Sequence, residues 1–241
     1  MNILIVNDDS IYAPGIQLLA NAAAEIGKVW VVAPAHQCSG MSHRITPGGT
    51  LRIEKVSDFP APVEFAYKVD GTPADCVKIA LGYLLKEKPD FVFSGINNGF
   101  NVGTEIAYSG TVGAAMEAIM HGIPAIAFSS AYEKPMTLAE KYIIRITKEL
   151  MSKEQTTQEI WNVNFPTTEN NIPKGILYER TIAKEGLYTA EYRDTVEADG
   201  SISLVIDGVP LSTVEPALNG SDIAAVLDGY ISIGKVKSSV L

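Results

Sequence analysis

Basic residues are scarce in this chain: 19 Lys and Arg stand against 28 Asp and Glu, a formal net charge of −9 at pH 7. Capture of a nucleic-acid backbone or an anionic lipid surface needs a basic patch, so neither a nucleic-acid polymer nor a membrane is an expected partner. Cysteine is scarcer still. Cys38 and Cys76 lie in unlike contexts, which excludes a disulfide framework and a paired metal-ligand spacing, and both read as reduced thiols. His36, His43 and His121 are scattered without ligand spacing, so no zinc site is written in the sequence. No apolar run approaches the roughly 18 residues that a membrane span requires. The apolar opening, Met1 to Val6, passes straight into Asn7-Asp8-Asp9 without the basic flank or length of a secretory signal, and a cytoplasmic location is expected. Also missing are the G-x-x-x-x-G-K-S/T phosphate loop, a G-x-G-x-x-G after the first strand and the G-x-S-x-G nucleophile elbow.

What is present is a chain of 241 residues, 46% of them hydrophobic, with 20 Gly and 13 Pro to make sharp turns. That length suits one large α/β domain better than two. Ile3 to Val6 is a short apolar run, and the Leu- and Ala-rich segment from Ile16 to Glu25 follows it as a helix would. Val29 to Ala33 is apolar at consecutive positions, as expected of a strand covered on both faces in a parallel sheet. Helices over 75–86, 112–121 and 136–151 alternate with strands over 91–94, 125–128 and 160–164. The expected fold is α/β, a Rossmann-like, mostly parallel sheet within one domain over 1–241, its catalytic core running from 1 to 166. From Thr167 the composition shifts to Asn, Thr, Gly and short alternating segments such as Ser201 to Ile206. This predicts a C-terminal β-hairpin arm over 167–241 that packs on the core or on another subunit.

Ligands of open α/β sheets bind beyond the carboxyl ends of the strands, so the residues that follow each apolar run carry the chemistry. The first run ends in Asn7-Asp8-Asp9-Ser10, the second leads through Pro34 to Gln37-Cys38-Ser39-Gly40, and the third ends in Ser94-Gly95-Ile96-Asn97-Asn98-Gly99. Adjacent carboxylates repel one another and favour a cation, and an all-oxygen set suits Mg²⁺, Mn²⁺ or Ca²⁺. Asp is also a favoured helix N-cap, a purely structural use of Asp8 or Asp9. The Asn97 to Gly103 loop offers amide oxygens and close backbone approach, though Asn and Gly are equally ordinary turn residues. Ser109 and Thr111 precede an Ala-rich helix, where they could hold a phosphate or simply cap it. Thr72 and Asp75, with Pro73 between them, have the spacing of a capping box. His36 and His43 are candidate substrate contacts, and His121 is a structural residue near a helix end.

In order and wording these segments resemble the SurE family, the survival-protein E nucleotidases. The resemblance rests on Ile5-Val6-Asn7-Asp8-Asp9, on Val32-Ala33-Pro34 through Gly40, and on Gly71-Thr72-Pro73-Ala74-Asp75-Cys76-Val77. It continues through Ser94 to Gly99, Tyr108-Ser109-Gly110-Thr111-Val112-Gly113 and Ser221-Asp222-Ile223-Ala224-Ala225. It implies metal-dependent hydrolysis of nucleoside 5′-monophosphates, with 3′-monophosphates or short polyphosphate accepted by some members, and homodimers or homotetramers built through an exchanged C-terminal arm. It further implies one divalent cation per subunit on Asp8, Asp9, Ser39 and Asn97, with Asn101, Ser109, Gly110 and Thr111 near the phosphate. The chain departs from the family pattern at Ser10, usually Gly, and at Cys38, usually Ser. Ser10 adds a Cβ where the backbone is expected to need positive φ.

The mechanism expected from these residues is in-line attack of an activated water, oriented or deprotonated by Asp9, with Asp8 and Asp9 as the catalytic carboxylates. An aspartyl-phosphate intermediate is a second route. A phospho-acceptor receiver domain would need a further Asp after the third strand, where this chain has Asn97 and Asn98. A non-catalytic module that binds a metal or phosphate metabolite is the remaining alternative.

Overall fold

The computed structural model describes residues 1–132, 135–154, 156–210 and 220–238. Parts of the expected C-terminal arm, at 211–219 and 239–241, lie outside the described residues. A nine-stranded sheet runs through the molecule in the order β3-β4-β2-β1-β5-β6-β7-β11-β8. Its centre is parallel, from β4 (Phe65–Val69) through β2 (Lys28–Pro34), β1 (Asn2–Val6), β5 (Phe91–Asn98) and β6 (Ala125–Ser130) to β7 (Glu159–Phe165). The short β3 (Ile53–Lys55) joins antiparallel at one edge.

Ile3 to Val6 are all fully buried because helices cover both faces. On one side lie α1 (Pro14–Ala24) and α4 (Thr137–Ser152), on the other α2 (Pro73–Ile79) and α3 (Gly110–Met120). Helix α1 starts with Pro at its first position and buries Ile16, Leu19, Ala20 and Ala23, the spacing of a single helical face. Helix α4 does the same with Ile143, Ile146, Thr147 and Leu150. The expected capping box forms on α2: Thr72 Oγ1 accepts from the Asp75 N–H, and Asp75 accepts in return from the Thr72 N–H at 3.0 Å. The helix expected to continue to residue 86 instead widens into a π-helical turn, Ala80–Leu84, and ends there.

Beyond residue 166 the chain divides. The strand β8 (Ile176–Arg180), the short helix α5 (Asp222–Leu227) and the strand β11 (Ile231–Lys237) return to the main sheet, where β11 pairs antiparallel with β7 and parallel with β8. Between them, β9 (Tyr188–Val196) and β10 (Ile202–Pro210) form a separate two-stranded antiparallel ribbon.

From β1 the chain steps to β2 on one side, then crosses back to place β5 on the other. The carboxyl ends of β1 and β5 therefore flank a topological switch point, the crevice where open α/β sheets receive ligands.

Candidate active site

Asp8 and Asp9 follow β1 directly, and their neighbours treat them differently. Asp8 is buried, and its Oδ1 accepts from the Thr111 hydroxyl at 2.6 Å. Thr111 belongs to the first turn of α3, and Gly110 beside it is what permits the approach, since a Cβ there would stand 2.9 Å from the Asp8 Cβ. Burial pushes the Asp8 carboxyl up to about 6; the Thr111 hydrogen bond opposes this and the Asp9 charge adds to it. Asp9 is half-buried and reaches the other way: its Oδ2 accepts from the Asn98 N–H at 2.9 Å and its Oδ1 from Gln37 at 3.4 Å. The same Gln37 amide donates to Ser39 Oγ at 3.1 Å. Hydrogen bonds thus tie together the chain ends leaving β1, β2 and β5.

Ser10 has φ +95°, the left-handed conformation expected at that position. Its carbonyl accepts from Asn7 Nδ2 at 2.8 Å, which tightens the turn immediately behind the two carboxylates.

Ser109 caps α3, its Oγ accepting from the Val112 N–H at 3.1 Å. This bond uses a lone pair and leaves the hydroxyl proton available to an incoming anion. The Thr111 hydroxyl proton, in contrast, is given to Asp8. Asn101 is held by a buried amide network absent from the sequence-level expectations. Its side chain donates to Ser129 Oγ at 2.8 Å, its N–H donates to Asn164 Oδ1 at 2.9 Å, and its carbonyl accepts from Asn162 and Asn164. Asn162 and Asn164 sit two apart in β7 among Trp161, Val163 and Phe165, hence on one face. That spacing was the available signal.

The loop carrying Ser39 is fixed from below. Ser42 donates its N–H to the Tyr108 carbonyl and its hydroxyl to the Ala107 carbonyl, and Thr46 bonds Asp75 through both N–H and Oγ1. A Cβ at Gly113 would stand 2.4 Å from the Ser42 carbonyl oxygen, so this helix position admits only glycine. His43 contacts no carboxylate of the strand ends; its Nε2 lies 2.7 Å from Glu117 Oε2. Glu117 also meets His121 at 3.0 Å and Lys78 at 3.6 Å. Burial alone would raise the Glu117 carboxyl, but the hydrogen bond and charge of His43, with Lys78, hold it below its usual range. His121 is therefore structural, as its position near a helix end suggested, while His36 is exposed. Cys38 is buried and donates its N–H to the Asp8 carbonyl at 2.7 Å. Desolvation and the Asp8 charge raise its thiol, and both cysteines are free.

A divalent cation fits this donor set. Among the described residues no ion pair reaches Asp8 or Asp9, so two carboxylates adjacent in the chain stand without a protein cation. Asn97 donates to the Gly99 carbonyl at 2.8 Å, which turns its amide nitrogen inward on the loop and leaves Oδ1 as an acceptor. Among the described residues no group of three His, Cys, Asp or Glu could hold a metal; the donors here are two carboxylates and neutral oxygens, a hard set.

The family model for survival protein SurE matches residues 3–187. The 5′-nucleotidase SurE of Alkaliphilus metalliredigens is 39% identical over 236 residues, covering 97% of this chain and 91% of the relative. That of Trichormus variabilis is 41% identical over 243 residues, with the same coverage of 97% and 91%. The crystal structure of SurE protein from Aquifex aeolicus superimposes with a TM-score of 0.82 at 35% identity, covering 98% of this chain and 93% of the other. A family match across most of the chain, relatives alike almost from end to end and a shared fold lead to one conclusion: this chain belongs to the SurE family.

Proposed function

We propose that this protein is a divalent-metal-dependent phosphoric monoester hydrolase that cleaves nucleoside 5′-monophosphates to nucleoside and phosphate. The observation that carries the proposal is the docking of Asp8 on Thr111 at 2.6 Å, which joins a strand-end carboxylate pair to the N-terminus of α3. A helix N-terminus is a natural phosphate site, and the carboxylates beside it are the metal-binding element. The relatives named 5′-nucleotidase support the choice of ester.

Asp8, Asp9, Ser39 and Asn97 would hold one cation per subunit, Mg²⁺ or Mn²⁺, with Ca²⁺ a further candidate. When bound, the cation supplies positive charge to the phosphoryl oxygens and lowers the pKa of water. The remaining work falls to the chain. Asp8 is oriented by Thr111 and cannot swing away. Asp9, more exposed, is the carboxylate placed to orient the attacking water and take its proton. The Ser109 hydroxyl and the Gly110 N–H face the phosphoryl oxygens, and the macrodipole of α3 favours their negative charge. Asn101 adds its amide, held rigid by Ser129, Asn162 and Asn164. The exposed β9–β10 ribbon is the arm through which copies of the chain assemble.

The test is phosphate release from a panel of 5′- and 3′-nucleoside monophosphates and short polyphosphate, with EDTA, Mg²⁺, Mn²⁺ or Ca²⁺. Release from 5′-monophosphates that requires a divalent cation supports the proposal; no release with any cation overturns it in favour of a binding module.

A further inference from the structure

Beside the carboxylate pair lies a cavity of about 310 Å³, and its walls are chemically unlike the α3 side of the site. It opens at Asp9 and Asn98, is flanked by Gln37 and Ser10, and extends to Tyr12 and Tyr132. The two tyrosines leave 58% and 83% of their surface exposed, and the Tyr12 hydroxyl meets the Lys68 ammonium. Among the described residues no lysine, arginine or histidine lines the cavity. With Asp9 as the one charged group among its described walls, the cavity suits a neutral, flat, hydrogen-bonding ligand better than a second phosphate group.

The polar groups match that description. Gln37 spends its amide N–H donors on Asp9 and Ser39, which leaves its carbonyl oxygen as an acceptor. Asn98 Oδ1 is buried and has no hydrogen-bond partner among the described residues. Ser10 Oγ accepts from the Tyr12 N–H at 3.4 Å and keeps its own proton to donate. Asp8 faces α3 while Asp9 faces the cavity, so the carboxylate pair divides a phosphate end from this neutral, aromatic end.

We infer that Tyr132 and Tyr12 form the nucleobase subsite, stacking the base of the substrate while Gln37, Asn98 and Ser10 face its polar edge. This rests on the nucleotidase reading above and adds the residues that select a nucleoside. Stacking on an aromatic ring tolerates any base because each presents a π-face, so the subsite predicts broad base tolerance.

The experiment compares the wild type with Tyr132→Ala, Tyr132→Phe and Tyr12→Ala, using inorganic phosphate, which can fill only the phosphate end, as an internal reference. For each variant the KM of the four common 5′-nucleoside monophosphates is divided by the inhibition constant of inorganic phosphate. The ratio should rise roughly tenfold in Tyr132→Ala, with kcat changed far less, should rise in Tyr12→Ala, and should return close to wild type in Tyr132→Phe, where the ring is kept. An unchanged ratio in Tyr132→Ala overturns the subsite while leaving the nucleotidase reading intact. Parallel increases of KM and the phosphate constant also overturn it, because they assign Tyr132 to general support of the site. If the wild type releases no phosphate from any nucleotide, the nucleotidase reading itself has failed and the subsite falls with it.

Discussion

Strands β1 and β10 are both rich in Ile, Leu and Val, and their side chains meet opposite fates. Ile3, Leu4, Ile5 and Val6 are fully buried, whereas Ile202, Leu204, Val205 and Ile206 each remain more than half exposed. The difference lies in what the chain supplies around each strand. β1 has a strand on either side and helices on both faces, so its apolar character is spent within the protomer, and the polar residues at its end are delivered rigidly into the crevice. A two-stranded ribbon cannot bury itself, so the apolar face of β9–β10 has no cover from the described part of its own chain. If the first region serves the proposed chemistry and the second the proposed association, substitutions in each should fail in different ways.

The largest effect belongs to the carboxylates. Asp8→Asn and Asp9→Ala should each lower metal-dependent turnover on the order of a thousandfold, with circular dichroism and protomer mass unchanged. Retention of full activity by Asp8→Asn would remove the carboxylate pair from the mechanism.

Next in size is the ribbon. In the antiparallel register Ile206 lies opposite Tyr192, and Ile202 opposite Val196, on one face. The double variant Ile202→Lys, Ile206→Lys places two charges on that face and should shift sedimentation velocity profiles toward smaller species. These side chains are exposed in the protomer, so its fold is not at risk. If the mass distribution stays unchanged, the ribbon is not the assembly surface.

Smaller, and opposite in sign to the loss of turnover, is the effect of Asp8 on the metal-free protein. Its carboxyl titrates near 6 in the folded chain against an ordinary value of 3.8, because burial, with Asp9 adjacent, disfavours the anion. Below about pH 3 both folded and unfolded chains hold the proton, and the site costs almost nothing. As pH rises from about 4 to 6 the unfolded chain ionises first, so the cost grows and then levels off. In EDTA, Asp8→Asn should therefore be more stable than the wild type at pH 7, by up to about 3 kcal/mol, and close to it near pH 3. Denaturant titrations at the two pH values check this. Adding Mn²⁺ should stabilise the wild type and not the variant.

The same contrast explains what could be read from the sequence. Apolar runs that stop at polar clusters mark buried parallel strands and their ends, so β1, β2, β5, β6 and β7 were legible, whereas Asp8, Asp9, Ser39 and Asn97 stood together as a set only through the family resemblance. Strands β3 and β4 were not: Ile53–Lys55 is only three residues long, and Phe-Ala-Tyr-Lys-Val in β4 mixes buried with half-buried positions, giving neither a continuous apolar run nor clean alternation. The widening of α2 into a π turn leaves hydrophobic spacing almost intact, so periodicity carried the expected helix past its true end. Within the site, residue types were legible and environments were not. Nothing in Asn-Asp-Asp says that the first carboxylate turns to α3 and the second to Asn98 and Gln37. The network of Asn162, Asn164 and Ser129 lies inside strands, away from the strand-end loops where functional residues were sought. Glu117 was visible only as one charge in an apolar helix; its partners His43 and Lys78 come from distant parts of the chain.

The smallest expected effect tests whether the site carries backbone strain that the ribbon lacks. Ser10, φ +95°, is a non-glycine residue in a conformation that disfavours a Cβ. Its side chain makes one long hydrogen bond, 3.4 Å from the Tyr12 N–H to Oγ, which recovers little. Ser10→Gly removes the strain, of order 1 kcal/mol or more, but gives the unfolded chain greater freedom, which offsets part of the gain. The net expectation is a rise in stability of about 0.5 to 1 kcal/mol, a shift of a few degrees in Tm for a chain of this size. The turn carbonyl that Asn7 holds is retained, so kcat should stay within a few-fold of wild type, while loss of the hydroxyl assigned to the base edge should show in KM. A fall in Tm would show that the Ser10 hydroxyl, and not the shape of the turn, holds this corner of the site together.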